Sequence, residues 1–260
     1  EELHSAWDSF VHDIKHCSRY FLFKKRAHVS STPGERYTPA VLLKRISKLV
    51  RELKLVKSLP AATGLYRVRS TNEGVRFTEF MEVGPPPERH ASAGRMNPPG
   101  ISYFYMALEW ETALAEVLDR PPCYVAIAKF EVTQQLLLLD LTELPPSPSI
   151  FDSENSEKRQ GLLFLSDFIN AITVPVIRDG REHVEYIPSQ VICEFFAQIF
   201  RINGKSQLDG IKYPSAVRPG GKNIGIFPPR DIGEKWENRV KLRTISHLSF
   251  NNWDDLKDVI

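Results

Sequence analysis

GRMNPPGISYFYMALEWETALAEVL, residues 94–118, is the stretch on which the reading of this chain turns. Arg95 and Asn97 stand in a turn fixed by Pro98, Pro99 and Gly100, residues that preset or free the backbone for a reversal. A short aromatic strand around Tyr103, Phe104 and Tyr105 follows. An acidic helix start (Glu109, Trp110, Glu111) then leads into a small-residue helix carrying Glu116. One turn–strand–helix unit therefore brings close together an Arg able to bind an anion, a Tyr able to stack and a carboxylate. These are the parts of a nucleotide site.

Strand patterns lie on both sides of this unit. LYRVRS (65–70) reads as a strand that places Arg67 and Arg69 on one face, because side chains alternate with period two. Beyond Pro121-Pro122, YVAIAKFEV (124–132) alternates and LLLLDL (136–141) reads as a buried strand. A surface loop at 145–149 precedes a helical pattern over 160–172. TVPVIRDGREHVEYIPSQ (173–190) predicts a strand, an Asp-Gly turn and a second strand, with Pro175 arguing for a sheet edge. Pro188 suits the first turn of a helix running through SQVICEFFAQIF. DGIKYPSAVRPGGKNIGIF (209–227) gives a strand, a loop containing Ser215 and another strand. Helices and strands interleave without a regular βαβ rhythm, which predicts an α+β fold.

Upstream of residue 63 the pattern is helical. Trp7, Phe10, Val11, Ile14 and Phe21 share a face, and a polar turn follows at Ser30–Gly34. Pro39 opens a helix predicted over 40–59, with an apolar stripe of Leu42, Ile46, Leu49, Val50 and Leu53. Lys44, Arg45, Lys48, Arg51, Lys54 and Lys57 make its other face basic. That face reads first as a solvated surface and second as a grip for RNA or an acidic partner. Pro60–Gly64 reads as a linker. The division expected is a helical module at 1–62 and a second domain at 63–260.

Composition sets limits on function. The 260 residues are 42% hydrophobic and 25% charged, with a net charge of +2, which by itself argues for neither a nucleic-acid nor a membrane partner. No apolar run approaches the ~20 residues that span a bilayer. Cys17, Cys123 and Cys193 are few and widely spaced, which fits a reducing cytoplasm and neither a disulfide framework nor a metal site. His12, His16 and Cys17 lack the further ligands a metal requires. Arg218-Pro-Gly-Gly-Lys222 lacks the spacing and the Ser/Thr of a phosphate loop. The Arg-x4-His spacing of Arg178 and His183 straddles the expected hairpin rather than a helix, and His183 reads as an ordinary strand residue.

Four segments in order, LYRVR (65–69), GRMNPPG with YMALEWETALAE (94–116), YIPSQVICE (186–194) and DGIKYPSA with GGKNIGIF (209–227), resemble the RES domain, named after its Arg, Glu and Ser. The resemblance covers roughly residues 64–230, and the helical part before it more loosely resembles a HEPN-like N-terminal module. It implies a mixed-sheet fold like that of ADP-ribosyltransferases, and a bacterial toxin of a toxin–antitoxin pair whose substrate is NAD+. Carried over, the name-giving residues are Arg67, Glu116 and Ser215. Arg95, Asn97, Tyr105 and Asn223 become substrate-binding candidates, with Met96 where the family usually has Trp.

The implied chemistry is cleavage of the nicotinamide–ribose bond, by water (glycohydrolase), by phosphate (phosphorylase) or onto a protein (ADP-ribosyltransferase). Glu116 would stabilise the oxocarbenium character that builds on the sugar. Arg67 and Arg95 would clamp the pyrophosphate, and Tyr105 would stack on the cationic ring. Ser215, with no base identifiable beside it, reads as a ribose or amide contact rather than a nucleophile. Read without the family, Glu116 is an exposed helix carboxylate, the arginines are surface charges, Tyr105 is half-buried core, and Ser215 and Asn223 are turn residues. NAD+ is expected as substrate, with no metal and no other cofactor. An antitoxin protein and a second copy of the chain are the expected partners. A nucleotide-sensing or RNA-binding module without turnover is the rival expectation.

Overall fold

The computed structural model describes residues 4–20, 39–118, 120–173, 182–204, 206–230 and 233–257. In chain order they form α1 (His4–His12) continued by a π-helical turn (Asp13–Cys17), α2 (Pro39–Glu52), β1 (Val56–Leu59), β2 (Gly64–Thr71) and α3 (Phe80–Val83). Next come β3 (Phe104–Ala107), α4 (Trp110–Ala115), β4 (Cys123–Val132), β5 (Leu136–Asp140), α5 (Ser156–Thr173), α6 (Glu182–Glu185) and α7 (Ile187–Gln198). The chain finishes with β6 (Gly210–Pro214), β7 (Lys222–Ile226), β8 (Val240–Phe250) and α8 (Asp254–Lys257). The fold is α+β, as expected. No described helix is long and apolar enough to cross a membrane.

The chain divides into two compact units: residues 1–56, 93–98 and 143–207 in one, and 57–92, 99–142 and 208–260 in the other. This grouping differs from a division at residue 62, because α1 and α2 pack with α5 and share its unit.

The helical unit is built on aromatic packing. Phe10, Ile14, Phe164, Phe168 and Phe196 are buried, and the Trp7 and Phe164 rings meet edge-on at 5.1 Å. Gly161 allows α5 to lie against α2, since a Cβ there would sit 2.5 Å from Leu49 Cδ2. The basic face of α2 is partly engaged: Arg51 donates to the Arg201 carbonyl and lies over the Phe200 ring, and Lys48 is near Glu52 and Glu157.

The sheet unit holds eight strands in the order β1-β5-β6-β7-β3-β2-β4-β8. β5 and β6 are parallel, and the pairs β6–β7, β7–β3, β3–β2, β2–β4 and β4–β8 are antiparallel. One face buries Leu65, Phe104, Met106, Phe130, Ile224 and Ile226, with Phe104 and Phe130 edge-on at 5.0 Å. On the other face Val68, Ala107, Val125 and Ile127 pack against Ala113 and Leu114 of α4. Sealing is uneven. β2 pairs with β4 at eight positions but with β3 only at Tyr66–Ala107.

Several expectations need correction. The helix predicted over 40–59 stops at Glu52. Lys54 adopts a left-handed φ of 52°, and the Lys54 and Leu55 amides bond back to the Arg51 and Val50 carbonyls. That is a Schellman stop, usually marked by Gly and here made by Lys, and it releases 56–59 into a strand. Pro60–Gly64 is a hydrogen-bonded turn rather than a free linker, with Ala62 N donating to the Val132 carbonyl and Val132 N to that of Thr63. The second strand expected before Pro188 is helical: Glu182–Glu185 form α6, His183 among them, and Pro188 sits in the first turn of α7. Phe21, the turn at 30–34, Pro175, Arg178 and the Asp-Gly pair at 179–180 lie outside the described residues. β8 carries no clear alternation, since only its end residues Val240 and Phe250 are buried.

Candidate active site

Glu116 ends a very short helix. α4 follows the extended residue Glu109 and runs six residues to Ala115, with Glu116 as its C-cap (φ −69°, ψ −18°). A carboxylate at a helix C-terminus gains nothing from the helix dipole, so its stabilisation has to come from elsewhere. The Asn223 amide donates to Glu116 Oε1 at 2.6 Å and the Ser215 hydroxyl donates to the same oxygen at 2.8 Å. Glu116 Oε2 has no hydrogen-bond partner among the described residues, and the residue is exposed. The carboxylate is thus gripped by one oxygen and presents the other.

The sheet and one tight loop set this grip. Asn223 is buried on β7, between Ala107 of β3 and Tyr213 of β6. Ser215 opens the loop from β6 to β7, and its amide donates to the Gly221 carbonyl at 2.9 Å. Its hydroxyl oxygen also accepts from the amides of Val217 (3.3 Å) and Arg218 (3.2 Å). With its hydrogen on Glu116 and both lone pairs occupied, the hydroxyl is a saturated positioning group.

The loop is fastened to α4. Thr112, fully buried, donates to Glu109 Oε2 at 3.0 Å and accepts from Arg218 Nη1 at 3.1 Å. Gly221 allows the contact, because a Cβ there would lie 2.7 Å from Thr112 Oγ1. The short loop around Arg218-Pro-Gly-Gly-Lys222 is therefore a clasp that holds Ser215 against Glu116. Thr112 and Gly221 were not singled out from the sequence, because a buried threonine and one glycine of a pair carry no chemical signal until the two elements meet.

Tyr105 lies half-buried on β3 opposite Gly225, on the same face as Ala107 and Asn223, with its ring 6.3 Å from that of Tyr103. Arg67 leaves β2 from the other face, since it alternates with Tyr66 and Val68, which pack toward α4. Its guanidinium lies 5.3 Å from the centre of the Phe104 ring. Among the described residues the buried Nη1 of Arg67 has no hydrogen-bond partner, and Arg69 Nε is in the same condition. Burial first, and the charge of Arg69 second, push the Arg67 guanidinium down to about 9, against a smaller upward pull from Tyr105.

Arg95 and Asn97 belong to the helical unit. Their turn is latched by the start of α7: Gln190 Nε2 donates to the carbonyls of Gly94 (2.7 Å) and Asn97 (3.0 Å), and Ser189 Oγ donates to that of Arg95 (2.5 Å). Arg95 Nη1 donates to the carbonyls of Ile172 and Thr173 at the C-terminal end of α5, a favourable place for a cation. Met96 is buried, and Asn97 is buried with its amide donating to the Pro98 carbonyl. Among the described residues no cluster of three or more His, Cys, Asp or Glu could hold a metal ion.

These features define an α+β protein with a carboxylate-centred polar site on a mixed sheet, and with a half-buried arginine on β2 whose Nη1 has no partner among the described residues. The RES domain profile matches residues 64–242, more than half of the chain, and the chain belongs to that family. No curated protein and no solved structure gives a match.

Proposed function

We propose that this chain is an NAD+-consuming enzyme that breaks the bond between nicotinamide and ribose and so depletes cellular NAD+, acting in the cytoplasm as the toxin of a toxin–antitoxin or defence pair. The observation that carries the reading is Glu116, held at Oε1 by Asn223 and Ser215 with Oε2 open, in a chain of the RES family.

In this reading the C1′–N bond breaks with its electron pair leaving on nicotinamide, and positive charge builds on the ribose ring. Glu116 Oε2 stabilises that charge and accepts a hydrogen bond from a ribose hydroxyl. Asn223 and Ser215 fix the carboxylate in advance, so little reorganisation is needed as charge develops. Tyr105 stacks on the nicotinamide ring, and Arg67 pairs with the pyrophosphate through its unsatisfied Nη1. In this reading NAD+ meets groups from both faces of the sheet at the seam between β2 and β3, which pair only at Tyr66–Ala107. Water then bonds to C1′ through its oxygen and releases a proton to solvent, or phosphate bonds through an anionic oxygen with no proton to lose. The acceptor, a neutralising antitoxin and a second copy of the chain are parts of the same proposal.

Mass-resolved analysis of NAD+ incubated with the purified chain, with and without phosphate, tests it. Nicotinamide with ADP-ribose is the expected hydrolytic product, and ADP-ribose phosphate appearing only with phosphate would mark phosphorolysis. Intact NAD+ under both conditions, with a folded chain, overturns the reading as a glycohydrolase or phosphorylase.

A further inference from the structure

Arg67 and Arg69 leave the same face of β2, two residues and so about 6.5 Å apart along the strand. Neither has a carboxylate partner among the described residues. Arg67 Nη1 and Arg69 Nε are both buried without an acceptor among the described residues. Two cations placed side by side, partly withdrawn from water and unneutralised, are an unfavourable arrangement in the free protein. A strand needed only for packing would not carry it.

Arg69 is also aimed. Its Nη2 donates to the Gly84 carbonyl at 2.7 Å, which fixes the plane of the guanidinium. Gly84 itself is pinned, since a Cβ there would lie 2.7 Å from the Phe80 carbonyl. The turn before it is closed by Glu82, which accepts from the amides of Thr78 (2.6 Å) and Glu79 (2.9 Å). The anchor is therefore built rather than incidental, and it leaves Nε buried without a partner among the described residues.

We infer that Arg69 is an anion-binding residue in its own right and forms, with Arg67, a two-guanidinium site on β2 for a diphosphate. A ligand with a charge on each phosphate relieves the repulsion between the two cations and supplies acceptors for both orphaned N–H groups. The inference rests on the proposed function only in taking that diphosphate to be the one in NAD+. The repulsion between the two cations does not depend on which diphosphate binds. Burial lowers the pKa of both groups, and a bound dianion would reverse that shift.

The test is calorimetric titration of inorganic pyrophosphate into the full chain, with thermal melting of each variant as the fold control. Wild type should bind, Arg69→Gln should bind at least about tenfold more weakly, as for loss of a charge-assisted hydrogen bond, and Arg69→Gln should melt no lower than wild type. Arg69→Lys, which keeps the charge and loses the Nε donor, should also bind more weakly. Arg89→Gln, at an exposed position, should match wild type. No binding by wild type, or wild-type affinity in folded Arg69→Gln or Arg69→Lys, overturns the inference. The two readings fail separately. Arginine-dependent pyrophosphate binding with NAD+ left intact upholds this site and removes NAD+ turnover, whereas NAD+ turnover with unchanged pyrophosphate binding in the Arg69 variants does the reverse.

Discussion

Two arginines in the sheet unit are treated in opposite ways. Arg239, just before β8, is almost wholly buried and fully engaged: Nε and Nη2 donate to the two oxygens of Glu234 at 2.8 and 3.1 Å, and Nη1 donates to the Phe227 carbonyl, with Asp209 3.8 Å away. Arg67, on β2, has Nη1 buried with no partner and a second arginine as its charged neighbour. Burial of a charge is tolerable when geometry neutralises it, as the Glu234 fork does for Arg239. Where the fold leaves the charge unneutralised, the missing partner points to a ligand. Arg239 serves the fold, whereas the Nη1 of Arg67 is left for the anion of the proposed site.

Substitutions can break this comparison. The largest effect on stability is expected for Glu234→Ala, which strands the Arg239 charge in the interior and should cost about 3–5 kcal/mol in denaturant unfolding. A loss below about 1 kcal/mol would make Arg239 no better paired than Arg67 and collapse the contrast. Next comes Glu116→Gln, which should lower the turnover of NAD+ about 10²–10³-fold, the range seen when one preorganised charge-stabilising group is removed. Its melting temperature should hardly move, because the residue is exposed. Full turnover in the folded variant would remove Glu116 from the chemistry.

Arg67→Gln sharpens the contrast most directly. Substrate affinity should fall about 10–100-fold for the lost charge-assisted bond, while unfolding free energy holds or rises, the reverse of the Arg239–Glu234 pair. A large loss of stability would show that Arg67 has a structural partner after all. The smallest effect is expected for Ser215→Ala. Asn223 still holds Glu116 Oε1, so turnover should drop only about 3–10-fold, the equivalent of one hydrogen bond. Complete loss of activity would instead make the Ser215 hydroxyl a chemical participant.

Much of the fold is legible in local pattern. Alternation marks β2 and β4, a continuous apolar run marks β5, helical spacing marks α5 and α7, and the loop carrying Ser215 is bracketed by two clear strands. What escaped has local reasons too. Lys54 stops α2 in a conformation usually taken by Gly, so no residue announces the end. Residues 173–190 read as two strands about an Asp-Gly turn, yet Glu182–Glu185 are helical, because so short a segment does not separate a strand from the approach to a helix. β8 is an edge strand buried only at its ends, which leaves no stripe to read.

The sequence by itself determined the α+β class, the strands that carry Arg67 and Asn223, and, through four ordered segments, the family and the identity of the candidate residues. Tertiary structure alone decided how those residues are held. Ser215 and Asn223 reach Glu116 across 99 and 107 positions of chain. Arg239 finds its acid while Arg67 finds none, and Arg95 faces the end of α5. Periodicity and propensity act over one or two turns of chain, whereas the partner of a buried charge is set by which distant segments the packed core brings within 3 Å of it.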